Sequence, residues 1–179
     1  MTIKDSILIL VRKYFKEEYS KNQNDYIPVS QAYYNENEMV SLVDASLSMS
    51  WVAGDLVKKL EKELARYIGV RFASMCNSGS SANLLALSAL TSPILGSRAL
   101  QPGDEVITAA VGFPTTVNPI FQVGCVPVFV DVAISTHNPM AFAVADAITD
   151  KTKAVMIAHT LGNVWDVEEI GRASCRERV

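Results

Sequence analysis

Apolar and polar residues follow a helical spacing in the first third of this chain and a strand–helix alternation afterwards. Residues 3–19 carry apolar side chains near helical spacing, with lysine and glutamate between them, which predicts an amphipathic helix. Two further helices are predicted at residues 35–47 and 55–68. Asp55 is a candidate cap for the second of these, and Gly69 is expected to end it.

From residue 70 onward, short apolar runs alternate with helical segments. The predicted strands are residues 70–75, 105–108, 126–130 and 154–158. The helices between them are predicted at residues 83–90, 115–122 and 141–148. This alternation implies an α/β fold with right-handed crossovers and a mostly parallel sheet, covered by helices on both faces. Ligands bind such sheets at the carboxyl ends of the strands, where several polar loops of this sequence fall.

One of these polar loops, residues 77–82, lies between the first predicted strand and the following helix. Gly79 lets the backbone approach a ligand closely, while unpaired amides and the helix dipole attract an anion. The hydroxyls of Ser78, Ser80 and Ser81 add further donors. The loop therefore predicts a phosphate site, although a helix cap without a ligand fits the same residues. It is neither a Walker A motif nor a GxGxxG motif, which favours a ligand other than ATP or NAD.

Composition excludes several classes of function. With 179 residues, of which 49% are hydrophobic, the chain can bury a full core, most simply as one domain. A net charge of −3 with mixed signs does not favour nucleic acid as a partner. We expect neither a membrane span nor a signal peptide, and the predicted location is the cytoplasm.

Cysteines and histidines predict neither disulfides nor a metal site. Cys76, Cys125 and Cys175 show no CxxC spacing, and the first two are expected to be buried as small apolar residues. His137 and His159 are far apart in the chain and form no pattern of metal ligands.

The last nine residues abandon the hydrophobic pattern. Residues 167–170 begin a helix that should continue with apolar positions, and the following GRASCRERV does not supply them. Residues 171–179 resemble translated adapter sequence and are predicted to be a non-native tail. A genuine charged terminus is the alternative.

Residues 27–166 resemble the DegT/DnrJ/StrS-type sugar aminotransferases, which are fold type I enzymes that depend on pyridoxal phosphate (PLP). The most specific segments are VRFASMCNSGSSANLLALSALTSP (70–93), LQPGDEVITAAVGFPTTVNPI (100–120), VPVFVDV (126–132) and AHTLGN (158–163). Within the family, residues 91–100 and 112–118 are most similar to the RfbH-type CDP-4-keto-6-deoxyglucose 3-dehydrases.

The resemblance implies that the chain is the truncated first part of such an enzyme. Residues 1–26 would be a helical extension, and residues 27–170 the first part of the large domain. The base (lysine or histidine), the carboxylate that pairs with the cofactor's ring nitrogen and the cysteines of a 2Fe–2S cluster would all lie beyond Asp166. Catalytic residues are therefore unassigned, and the chain alone is expected to be inactive.

The resemblance also implies roles for individual residues. Gly79, Ser80 and Ser81 would hold the phosphate of PLP or of pyridoxamine phosphate (PMP). Phe113 would stack on the cofactor ring, although its residue type alone favours the core. Trp51 and His159 would contact the substrate, and a satisfied structural role is the alternative for His159.

Three neighbouring residues have less specific expectations. Thr115 and Thr116 could add hydroxyl contacts or cap a helix. Asn163 is expected to close a turn rather than to bind a ligand.

The implied activity is the removal of the C-3 hydroxyl of CDP-4-keto-6-deoxyglucose, in the biosynthesis of deoxysugars and lipopolysaccharide. It would require PMP or PLP, a 2Fe–2S cluster in the full-length enzyme and a reductase partner, and family members are homodimers. A nucleotide-sugar aminotransferase of the same family, which would keep the lysine, is the first alternative. A non-catalytic phosphate-binding domain is the second.

Overall fold

The computed structural model describes residues 1–19, 32–49 and 51–176. Within it the chain divides into two compact units, Met1–Ser74 and Met75–Val179. The predicted boundary between residues 26 and 27 lies outside the described residues. The predicted non-native nature of residues 171–179 stays a prediction. No helix among the described residues is long and apolar enough to cross a membrane.

The first unit is helical, as predicted. It contains α1 (Ile3–Tyr14), which continues into a π-helical turn (Phe15–Tyr19), α2 (Glu36–Leu47) and α3 (Asp55–Ile68). Both α1 and α2 begin with capping boxes, in which Thr2 pairs with Asp5 and Asn35 with Glu38. These reciprocal hydrogen bonds satisfy amides that the first helical turn leaves unpaired.

Charged contacts join α1 to α2. The Glu36 carboxylate lies 3.0 Å from Lys16 Nζ and 3.5 Å from Arg12 Nη1, and the hydrogen bond from Lys16 lowers the pKa of Glu36. In α3 the expected cap role of Asp55 is wrong. Gly54 occupies the cap position, and Asp55 is the first helical residue, with its carboxylate 3.6 Å from Lys58 Nζ. Gly69 ends α3 in the left-handed conformation, as predicted.

The second unit holds the sheet. Its helices and strands are α4 (Gly79–Leu90), β1 (Glu105–Ala109), α5 (Pro114–Gln122), β2 (Val126–Val130), α6 (Ala141–Asp146), β3 (Thr152–Val155) and α7 (Val167–Arg176). Two 3₁₀ segments, Pro93–Arg98 and Thr160–Gly162, complete it. The strands are parallel in the order β2-β1-β3, so the prediction of a parallel α/β sheet is confirmed.

Two apolar clusters cover opposite faces of this sheet, because successive residues of β1 point in opposite directions. Val106 belongs to the first cluster, with Leu87 of α4 and Ile120 of α5. Ile107 belongs to the second, with Val144 of α6 and Ile170 of α7. Burial on both faces explains why the strands appear in the sequence as short, nearly continuous apolar runs.

One predicted strand is absent from the described structure. Residues 70–75 form no strand, and Phe72 within them is 77% exposed. A strand requires a neighbouring backbone ladder and usually a buried face, and the described residues supply neither at this position. Two other differences are shifts: α4 begins at Gly79 instead of residue 83, and β3 covers Thr152–Val155 instead of 154–158.

Gly124, which follows α5, provides a stability test with a built-in control. Its φ is 81°, and a Cβ atom there would lie 3.3 Å from Pro102 Cβ, whereas Gly69, at φ 80°, has nothing within 4 Å of such an atom. Gly69→Ala should therefore cost about 1–2 kcal/mol from the left-handed backbone alone. Gly124→Ala should cost more, because strain and crowding act together. Urea unfolding of both variants measures the difference, and equal losses would show that the Pro102 contact adds nothing.

Candidate functional site

The predicted phosphate loop forms the first turn of α4. Ser78 is the N-cap, and its Oγ accepts a hydrogen bond from the amide of Ser81 at 3.2 Å. The capping role proposed as the alternative is thus real for Ser78. The amides of Gly79 and Ser80, at the next two positions, have no acceptor among the described residues. A Cβ atom at Gly79 would meet nothing within 4 Å, so the backbone there borders open space.

A hydrogen bond ties this turn to the loop that follows β1. Asn83, one helical turn beyond Gly79, donates from Nδ2 to the backbone oxygen of Thr115 at 3.1 Å. Phe113 occupies the N-cap position of α5, two residues before Thr115. The structure therefore brings the first turn of α4 and the loop that carries Phe113 together at the carboxyl end of β1.

Phe113 is 70% exposed, so the core position that its residue type favours is wrong. Its backbone oxygen accepts the amide of Thr116 at 2.9 Å, which closes the first turn of α5. No side chain caps this helix, so the expected capping role of Thr115 or Thr116 is not realised. An exposed aromatic ring beside a helix N-terminus leaves a flat apolar surface available to a ligand.

His159 and Asn163 lie in the loop that follows β3. His159 is exposed, and its Nδ1 accepts the amide of Trp165 at 3.4 Å, with the two ring centroids 5.4 Å apart. The amide of Asn163 donates to the Thr160 oxygen at 2.9 Å, which confirms the expected turn. Both contacts give this loop a defined shape.

Trp51 belongs to the first unit. Its indole is exposed, and Nε1 donates to the Ser46 oxygen at 3.1 Å. This hydrogen bond anchors the ring edge and leaves the ring faces accessible. The substrate role of Trp51 stays a prediction.

The two described cysteines differ in environment. Cys125 is buried as expected, and burial, with a smaller contribution from the Asp104 carboxylate, raises the pKa of its thiol. The expected burial of Cys76 is wrong: the residue is half-buried, and its thiol donates to the Ser78 oxygen at 3.3 Å. Among residues 1–19, 32–49 and 51–176, no group of three acidic, histidine or cysteine side chains could hold a metal ion.

Sequence reasoning missed two asparagines that shape the site. The helical pattern explains Asn83 only as a helix start, although a polar residue at the head of the apolar run LLAL is a signal of a specific contact. The sequence pattern predicts no role for Asn138, which is 5% exposed between the loops after β2 and β3. Its only sequence signal is the dipeptide Asn138-Pro139, which is typical of turns.

The sequence matches a known protein family. This match agrees with the fold, with the unpaired amides at the start of α4 and with the exposed ring of Phe113. Residues 33–179 match the DegT/DnrJ/EryC1/StrS aminotransferase family. The chain belongs to this family. The resemblance predicted from the sequence is therefore confirmed over most of the chain.

Two curated relatives are similar to this chain over most of its length. The chain is 51% identical over 170 residues to the dTDP-4-dehydro-2,6-dideoxy-D-glucose 3-dehydratase of Saccharopolyspora spinosa, covering 93% of this chain and 37% of the relative. It is 48% identical over 174 residues to the lipopolysaccharide biosynthesis protein RfbH of Salmonella typhimurium, covering 95% and 40%. The chain thus spans less than half the length of these relatives.

A solved structure of the family confirms the fold. The GDP-4-keto-6-deoxy-D-mannose-3-dehydratase of E. coli with bound hydrated PLP superposes with a TM-score of 0.75 at 33% identity. The match covers 83% of this chain and 38% of that protein. The predicted class, a PLP-dependent transferase fold represented by part of its sheet, is therefore correct.

Proposed function

We propose that this chain supplies the cofactor-phosphate cradle of a nucleotide-sugar 3-dehydrase that uses PMP or PLP. The observation that carries the proposal is the pair of unpaired amides at Gly79 and Ser80 beside open space, at the start of α4. High identity to two sugar-biosynthesis proteins, one of them named as a 3-dehydratase, supports the choice of reaction.

The residues at this turn fit a phosphate ester. The amides of Gly79 and Ser80 would donate to phosphate oxygens, and the exposed Ser80 hydroxyl would add a third donor. Ser81 receives a hydrogen bond from the Ser78 hydroxyl at 3.2 Å, so its own hydroxyl proton remains available to the phosphate. The dipole of the twelve-residue helix α4 favours the negative charge.

Phe113 would cover one face of the cofactor ring and exclude water from it, and the Asn83–Thr115 hydrogen bond would hold that ring near the cradle. When bound, the cofactor supplies an electron sink for a carbanion formed next to it. His159 and Trp51 are the proposed substrate contacts.

The proposed substrate is CDP-4-keto-6-deoxyglucose, deoxygenated at C-3 in the cytoplasm during deoxysugar and lipopolysaccharide biosynthesis. The proposed 2Fe–2S cluster, reductase partner and homodimer belong to the complete enzyme and rest on the family resemblance alone. Because the chain spans 37% and 40% of the two relatives, residues outside it would supply the base and the cluster ligands.

A sugar aminotransferase is the second candidate, because the family itself is described as one of aminotransferases. The complete enzyme, incubated with PMP, CDP-4-keto-6-deoxyglucose and the reductase with its two-electron donor, should release water and a 3-deoxygenated product detectable by mass spectrometry. An amino sugar formed with PLP and glutamate would favour the aminotransferase instead. Absence of any cofactor absorbance would overturn both and favour the non-catalytic domain. The 179-residue chain alone, as a control, should give neither product.

A further inference from the structure

Asn138 bridges two loops at the carboxyl edge of the sheet. Its Nδ2 donates to the Asn163 oxygen at 2.8 Å, and its Oδ1 accepts the Thr160 amide at 3.3 Å. A third hydrogen bond runs from Asn163 Nδ2 to the Thr136 oxygen at 3.2 Å. One buried amide group therefore holds both ends of the 3₁₀ turn Thr160–Gly162, which directly follows His159.

This turn needs outside support. Leu161 has a φ of 52° and Gly162 a φ of 84°, so two consecutive residues adopt the left-handed region. Leu161 pays a steric penalty there that glycine avoids, and its side chain is exposed, so packing does not offset the penalty. The hydrogen bonds of Asn138, together with the bond from the Asn163 amide to the Thr160 oxygen, hold the turn in this conformation.

The loop that carries Asn138 is itself held in place. The Ala133 amide donates to the backbone oxygen of Asn138 at 3.0 Å, and the His137 amide donates to the backbone oxygen of Ala133 at 2.7 Å. Val132 and Pro139 form an antiparallel bridge at the base of this loop. Asn138 is thus presented from a closed loop and can act as a fixed point for the neighbouring turn.

The turn controls the orientation of His159. Because Nδ1 accepts the Trp165 amide, the neutral imidazole carries its proton on Nε2, the nitrogen that remains for a ligand. The contact with the Trp165 ring fixes the plane of the imidazole. Loosening the turn would release the backbone between His159 and Trp165 and with it this hydrogen bond.

We propose that Asn138 is a positioning residue that fixes His159 as a donor through Nε2–H. The acceptor would be an oxygen of the nucleotide sugar, and that identification rests on the proposed function. The donor is set before the ligand arrives, so binding loses less conformational entropy.

The tautomer of His159 tests this proposal in the 179-residue chain without any ligand. Long-range ¹H–¹⁵N spectra, recorded at about pH 8.5, should show the proton on Nε2. His159→Gln distinguishes its signals from those of His137. In Asn138→Ala, the Nδ1 and Nε2 shifts of His159 should move toward each other as the tautomers mix. Asn118→Ala, an exposed asparagine of α5, should leave them unchanged.

Unchanged His159 shifts in folded Asn138→Ala would overturn the proposal. If that variant does not fold, Asn138→Asp keeps the acceptor for the Thr160 amide, and a shift confined to the His159 loop supports the positioning role. Loss of the fold in both variants would overturn it in favour of a purely structural role. A failed nucleotide-sugar assignment would appear separately, as the absence of both the 3-deoxygenated product and the amino sugar in assays of the complete enzyme, and would not alter the tautomer result.

Discussion

Ser80→Asp should lower the affinity of the complete enzyme for PLP or PMP by about 100-fold or more, which corresponds to about 2.7 kcal/mol. Ser80 is the second residue of α4, and its amide is one of the two unpaired donors of the cradle. A carboxylate there would face the phosphate with like charge and would compete for the same amides. Cofactor absorbance during titration measures the loss.

Ser80→Asp should not unfold α4, so a loss of cofactor affinity in this variant would not reflect a loss of stability. An acidic side chain in the first turn interacts favourably with the helix dipole, by about 0.3–1 kcal/mol. Ser97→Asp, at an exposed position beyond the carboxyl end of α4, is the matched control and should bind cofactor normally. Unchanged affinity in Ser80→Asp would contradict the proposed cradle.

Ile107→Ala should cost about 2–5 kcal/mol of the free energy of unfolding. Ile107 is 0% exposed on the central strand, opposite Val128 of β2 and Val155 of β3. Removing its side chain leaves a cavity between the sheet and the helices α6 and α7. Because domains of this size are stable by only about 5–15 kcal/mol, the loss is a large share of the total.

Urea unfolding of a graded series checks this prediction. Ile107→Val should cost about 0.5–1.5 kcal/mol. Ile134→Ala, at a residue that is 91% exposed, should change the stability by no more than about 0.5 kcal/mol. Equal effects at the two isoleucine positions would mean that the second apolar cluster does not stabilise the chain.

The local residue pattern was sufficient to predict the bounds of a segment where the surroundings of that segment match its residue types. The predicted strand 126–130 agrees with β2 residue for residue, and the predicted helix 35–47 differs from α2 only in its cap. The capping turn at the start of α4 was also predictable, because small hydroxyl residues and a glycine before an apolar run favour a helix N-terminus.

Prediction failed where a segment depends on distant residues. Residues 70–75 have the composition of a buried strand, yet the described chain offers no neighbouring strand, and a ladder cannot form without a partner. The contacts of the His159 loop likewise depend on other segments, since the Thr160 amide donates to Asn138, which lies more than twenty residues away along the chain. Periodicity carries no information about such contacts.

The sequence alone determined the α/β class, three of the four predicted strands with the helices between them, and the serine-capped turn before α4, because each follows from local spacing and backbone chemistry. Only the tertiary structure left Phe113 exposed, tied its loop to α4 through the hydrogen bond from Asn83 to Thr115, and buried Asn138 between two loops. These contacts join segments that are separated in sequence, and their energy comes from geometry that exists only once the sheet has formed.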